Sequence, residues 1–229
     1  MENVSQPTPL SDRSATSSSG LWKGLQSPRT RLLVSCGGIG AFLFTATYLI
    51  EGFIQPGYDA WQQAIAALSL GPGGWVQQVN SIVYGVLLVL ASVGWYRLLL
   101  PGRNAIWFPL FQGIGGLGLI GVGVVTSGTL HTLLAYALIY ALAIGCFALA
   151  ARFWVERHGR GWAVYSGSTG VLILLFWGMF IQGANGNVAG LTPLAGLIER
   201  LSAGSHALWL CVLTATVLVQ HRRRSSSSA

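Results

Sequence analysis

Six apolar runs, each close to the length of a membrane span, occupy most of this 229-residue chain and decide what it can fold into. They cover about 32–50, 76–96, 106–126, 130–151, 163–182 and 201–219. Crossing a hydrocarbon core of roughly 30 Å takes about 20 helical residues, because each contributes about 1.5 Å. Several runs are rich in Gly and β-branched residues, which weaken a helix in water. In lipid the backbone must satisfy its own hydrogen bonds, and that requirement outweighs propensity. The runs do not alternate polar and apolar residues, as the strands of a membrane barrel would.

Only 8% of the residues are charged, against about 25% in soluble domains. That excludes a soluble globular domain, a disordered chain and a long coiled coil, which needs charged e and g positions. The expected fold is an all-α integral membrane protein, a six-helix transmembrane bundle over residues 31–220. Two tails flank it: a Ser-, Thr- and Pro-rich segment, 1–30, expected to be disordered and cytoplasmic, and a basic, Ser-rich segment, 221–229.

The net charge of +7 is no sign of nucleic-acid binding. Its basic residues fall in short clusters between apolar runs, where a nucleic-acid binder needs one continuous basic face. Cys36, Cys146 and Cys211 all sit inside apolar runs, without the spacing of a zinc site or a disulfide framework. They read as small buried residues.

Twelve of the 13 Lys and Arg residues lie on one side of the predicted bundle. They precede the first run (Arg13, Lys23, Arg29, Arg31), separate runs two and three (Arg97, Arg103) and four and five (Arg152, Arg157, Arg160), and follow run six (Arg222, Arg223, Arg224). The excess of positive charge on cytoplasmic loops then puts both termini in the cytoplasm, most simply of a cell membrane. Trp95, Tyr96, Trp107, Trp154, Trp162 and Tyr165 suit an aromatic belt on that inner interface.

The longest outer connection reads EGFIQPGYDAWQQAIAALSLGPGGW. Asp59 can cap a short helix that Gly71-Pro72 would end, with Trp61, Ile65 and Leu68 on one face. A short interfacial helix is expected there, lying in the interface or over the bundle. In the third run, Gly113, Gly115, Gly116, Gly118, Gly121 and Gly123 form two overlapping GxGxxG matches. No strand precedes them and a phosphate would sit in lipid, so they read as close helix packing.

Chemistry is confined to the outer half, which holds Glu51, Asp59, His131, Glu199, Arg200 and His206. Glu199 and His206 are seven residues apart, hence on one helix face and about 10 Å apart along the axis. Glu51 shares a face with Thr47 and Tyr48. The expectation is that Glu51, His131, Glu199 and His206 converge in one outward-opening pocket as catalytic or binding groups. Asp59, Arg200 and Tyr58 would form its rim. Ionisable groups in lipid are costly and tend to be functional, whereas those at helix ends are cheap and often only anchor the chain.

The stretch EGFIQPGYDAWQQAIAALSLGPGGWVQQVN resembles the signature of domain-of-unknown-function family 998, whose members are multi-pass membrane proteins. HTLL after the third run and GLIERLSAGSHALW near the end are also similar to family segments, extending the likeness over about 32–220. Glu51, Pro56, Gly57, Tyr58, Asp59, Ser69, Gly71, Glu199 and Arg200 fit the family pattern. Many members carry a second His or Asp near the second outer turn, where TSGTLH offers His131 alone. The resemblance implies the architecture and assigns no activity.

Several readings stand on the sequence. One is a pocket open to the outer leaflet that binds a ligand or metal, or an enzyme acting there on an amphiphile. A small-solute transporter would need polar groups along a whole path, and the inner halves are bare. A haem held between His131 and His206 and a structural or assembly subunit complete the set. Neither a cofactor nor an oligomeric state is fixed by the sequence. The lipid bilayer and an amphiphilic ligand are the expected partners.

Overall fold

A computed structural model of the chain describes residues 27–100, 102, 104–155 and 159–227, with side chains described as far as 220. The expected tail is therefore outside the described residues up to position 26. Six long helices make up the fold: α1 Pro28–Ile54, α2 Trp75–Leu99, α3 Trp107–Val124, α4 Gly128–Val155, α5 Arg160–Ala184 and α6 Ala195–Ser227. All six are long and apolar enough to cross a membrane.

The helices outrun the sequence boundaries. Pro28 sits in the first turn of α1, where its missing N–H costs nothing, so 28–30 belong to the helix and not to the tail. At the other end α6 continues through Arg222–Arg224 to Ser227, so most of the predicted second tail is helical backbone. Arg152, expected in a connection, lies inside α4 and is buried. It donates from Nη2 to the carbonyl of Leu99 at 3.0 Å.

Each helix packs on its neighbours in sequence, and α6 returns to pack on α1, which closes an up-and-down ring. Small residues permit the closest approach. A methyl group on Gly116 of α3 would stand 2.8 Å from the carbonyl oxygen of Gly85 on α2. That is backbone against backbone, the small-residue packing expected of the third run.

The two halves of the ring differ. Toward the basic end, Trp95, Phe108 and Trp209 meet edge to face, with ring centroids 5.5 and 5.8 Å apart. Trp209 donates its indole N–H to Ser166 Oγ at 3.1 Å. Leu98, Cys146, Leu149 and Leu210 fill the space around them, all fully buried.

At the opposite end, the 55–74 loop folds back over the ring. No α-helix forms there. Asp59 Oδ1 accepts the Trp61 N–H at 2.8 Å and closes a turn, and a 3-10 helix follows over Ile65–Leu70. The expected cap is thus present on a turn. The expected face is split, because Ile65 and Leu68 are buried while Trp61 is exposed. Gly71 and Pro72 end the segment as the sequence suggests.

Candidate functional site

The loop is fastened to the first two turns of α6. The first N–H groups of a helix have no partner inside it. The N–H of Leu197 finds one in the loop carbonyl of Trp61 at 3.0 Å. Gly196 has no side chain because the loop lies on it: a Cβ there would be 2.3 Å from the carbonyl oxygen of Gln63.

Arg200 is buried beneath the loop. Its Nη1 donates to the carbonyls of Ala60, Gln63 and Gly196 at 2.8, 3.0 and 2.8 Å. Its Nη2 donates to the Tyr58 hydroxyl, and the guanidinium lies over the Tyr58 ring. Tyr58 in turn reaches the carbonyls of Gln63 and Ala64 at 3.1 and 3.0 Å. Burial pushes the Tyr58 phenol above its ordinary range, with the Arg200 hydrogen bond opposing that rise. Arg200, expected at the rim of the pocket, is committed to Tyr58 and carbonyl oxygens, which suit the five-donor fork of a guanidinium.

Glu199 makes the next fastening. Its Oε2 accepts the N–H of Ile65 at 2.6 Å. One carboxyl oxygen of an expected binding group is thus engaged by the loop backbone.

Below the loop lies a cavity of about 320 Å³. Ala64, Ile65, Ala66 and Ser69 line it from the loop, and residues of all six helices line the rest. His131, Glu199 and His206 are all among its walls. His131 stands in the first turn of α4 and its Nδ1–H donates to the Val125 carbonyl at 2.6 Å. A carbonyl oxygen only accepts, so Nδ1 carries a hydrogen and Nε2 is the ring nitrogen left for another partner.

His206 lies deeper, 3% exposed. Its Nε2 is 3.3 Å from Nε2 of Gln112, and its ring rests against Trp209. One of the two donates to the other, according to the imidazole tautomer and the amide orientation. Two further buried walls, Tyr84 and Trp177, have polar atoms without hydrogen-bond partners, the Tyr84 hydroxyl and Trp177 Nε1. Most of the remaining wall is apolar, including Leu138, Leu142, Ile173 and Phe180.

Glu51 does not join this cavity, which corrects the predicted convergence of four groups. It is 7% exposed and lines a separate groove with Thr47 and Gln55. Its carboxyl faces the backbone N–H of Gln77 in the first turn of α2, where a negative group complements the helix dipole. Gln77 itself lines the cavity, so the start of α2 separates Glu51 from the other three. Asp59 is exposed and works as a turn residue. Among the described residues, no three His, Cys, Asp or Glu side chains gather in a way that could hold a metal ion.

Sequence reasoning missed Gln112, Tyr84 and Trp177. Gln112 had a visible signal, as a lone amide in the otherwise apolar third run. Gln77, Ser81 and Tyr84 recur at spacings of four and three and are all buried, a polar stripe readable in the sequence. Trp177 looked like any aromatic residue in an apolar run.

No curated protein and no solved structure matches the chain. The family described as "Protein of unknown function (DUF998)" matches residues 38–216, most of the chain and all of the cavity's walls. With six helices of membrane-spanning length and composition, the chain is an integral multi-pass membrane protein and belongs to the DUF998 family.

Proposed function

We propose that the cavity binds an amphiphilic ligand drawn from the membrane, and that this binding is the protein's central activity. The observation that carries the reading is the pairing of a largely apolar cavity of about 320 Å³ with three titratable side chains, His131, Glu199 and His206. Ligand pockets are typically of this kind, apolar walls with a few polar groups that fix orientation. A polar head would meet Glu199 and His131 near the loop, and an apolar body would follow Leu138, Ile139 and Trp177.

The same reading assigns the basic end of the bundle to the cytoplasm, by the placement of Arg97, Arg152 and Arg160. The cavity then opens toward the outer leaflet of a cell membrane. An acid–base step on the bound amphiphile is a second reading, favoured by a carboxyl and two imidazoles lining one cavity.

Trp177 is 7% exposed and lines the cavity. A brominated lysophospholipid that enters the cavity of the purified protein would quench it at contact. The signal is the difference between the wild type and Trp177→Phe. Quenching that disappears in Ala135→Phe, which fills the cavity from α4, supports the reading. Equal quenching of wild type and Trp177→Phe overturns it.

A further inference from the structure

The groove that holds Glu51 stands apart from the cavity and has its own chemistry. It measures about 330 Å³ and runs between the last turns of α1 and the turn that starts α2. Thr47 and Glu51 line it from one face of α1, four residues apart, and Gln55 lines it from the residue that ends the helix. Pro72, Gly73 and Val76 form the facing wall.

Two buried oxygens at this groove have no hydrogen-bond partner, Glu51 Oε2 and Gln55 Oε1. Both are acceptors. No Lys, Arg or His is among the lining residues. Arg200, whose guanidinium lies near Gly52 on the neighbouring face of α1, is committed to Tyr58 and the loop carbonyls. A buried acceptor without a donor is costly, and a buried carboxylate without a cation more so. The missing element is a cation that can also donate hydrogen bonds.

We propose that this groove binds the primary-ammonium headgroup of a membrane lipid, with the ammonium on Glu51 and Gln55. A primary ammonium carries three N–H donors and a positive charge. A quaternary ammonium has the charge without the donors and satisfies neither oxygen by hydrogen bonding. The lipid source follows from position. Glu51 is one turn from the end of a membrane-spanning helix, at headgroup depth, and Ile50 and Ile54 on the rim are 60% and 71% exposed. Acyl chains can run along them while the headgroup turns inward. The proposal needs no ligand in the central cavity, with which the groove shares no lining residue.

The test is native mass spectrometry of the full chain released from detergent with phosphatidylethanolamine or phosphatidylcholine of identical acyl chains. The phosphate and tails are the same, so only the ammonium differs. The wild type should retain phosphatidylethanolamine at least fivefold better. Glu51→Gln, which is isosteric, should reduce that preference to about onefold while phosphatidylcholine retention stays unchanged. Ala135→Phe, which fills only the cavity, should leave the preference intact. Equal retention of the two lipids by the wild type overturns the proposal without reference to any variant, as would an undiminished preference in Glu51→Gln. Ethanolamine added at the lipid's own concentration should not displace the adduct. Displacement would assign the groove to free amines and overturn the lipid source.

Discussion

Glu199 and Ile65, 134 positions apart in the chain, are joined by a 2.6 Å hydrogen bond from a backbone N–H to a carboxyl oxygen. Glu199 is also a wall of the cavity, and Ile65 is part of its roof. One side chain therefore serves both the closure of the loop and the polarity of the site beneath it. Replacing it by Ala should release the Ile65 amide. Leaving a buried N–H without its partner costs about 1–3 kcal/mol, so amide exchange at Ile65 should quicken by one to two orders of magnitude. Unchanged exchange in Glu199→Ala would show that the bond does not hold the loop.

Docking of the loop also depends on the bare surface of Gly196. An added methyl would stand 2.3 Å from the Gln63 carbonyl oxygen and 2.8 Å from that of Ala60. Gly196→Ala should lower stability by about 1–3 kcal/mol, the usual range for overpacking, and expose the loop to protease. Gly190→Ala is the control, since nothing lies within 4 Å of its Cβ position. A thermal melt of both variants in the same detergent compares them directly. Equal melting temperatures would refute the docking.

His206 and Gln112 should behave as a unit. Gln112→Leu removes the partner of a buried imidazole nitrogen, at a cost of about 1–3 kcal/mol. Once His206→Phe has removed the imidazole, the same change should cost much less. A double-mutant cycle on melting temperature or denaturant midpoint reads the coupling, which should exceed about 0.5 kcal/mol for a direct contact. Additive effects would mean that the two side chains do not interact.

The Tyr58 phenol predicts an alkaline limit for the closed loop. Its pKa is raised in the folded state by burial, so the protonated form is the one that folding favours. The stabilisation is fully present below the unfolded value of about 10 and is lost as pH rises through the raised value. Proteolysis of the 55–74 loop should thus be flat from pH 7 to 9 and increase above pH 10. The increase should be smaller in Tyr58→Phe, which has nothing to ionise. An identical alkaline rise in that variant would remove Tyr58 as the cause.

Orientation is testable at two positions with room for a new side chain. Gly161 lies at the basic end and Gly190 near the loop, and neither has a neighbour within 4 Å of its Cβ position. In a Cys-free background, an impermeant thiol reagent applied to intact cells should label Gly190→Cys and leave Gly161→Cys unlabelled. The reverse pattern would invert the assignment.

The helices were legible because lipid leaves the backbone one economical solution, and twenty apolar residues announce it. Their ends were less so. Nothing apolar marks Pro28–Thr30 or Arg222–Arg224 as helical, since those turns extend past the oily stretch. The polar site was half legible. Helical spacing places Glu199 and His206 on one face, and both line the cavity with His131. The same reasoning put Glu51 with them, because spacing within α1 does not reveal that the first turn of α2 comes between. The short helix of the loop was legible and forms as a 3-10 helix over Ile65–Leu70, but its place over the ring was not, because its partners are remote. Its turn depends on Asp59 locally, but its position depends on Arg200, Glu199 and Gly196, about 140 residues away.

The edge-to-face cluster of Trp95, Phe108 and Trp209 has a mechanical consequence. It ties α2, α3 and α6 together at the basic end, and the Trp209 indole extends the tie to α5 through Ser166. Four of the six helices therefore share one stiff knot, because edge-to-face ring contacts depend on both distance and angle. Spreading the bundle at that end breaks contacts on several helices at once, whereas the loop end is held by hydrogen bonds that can open one by one.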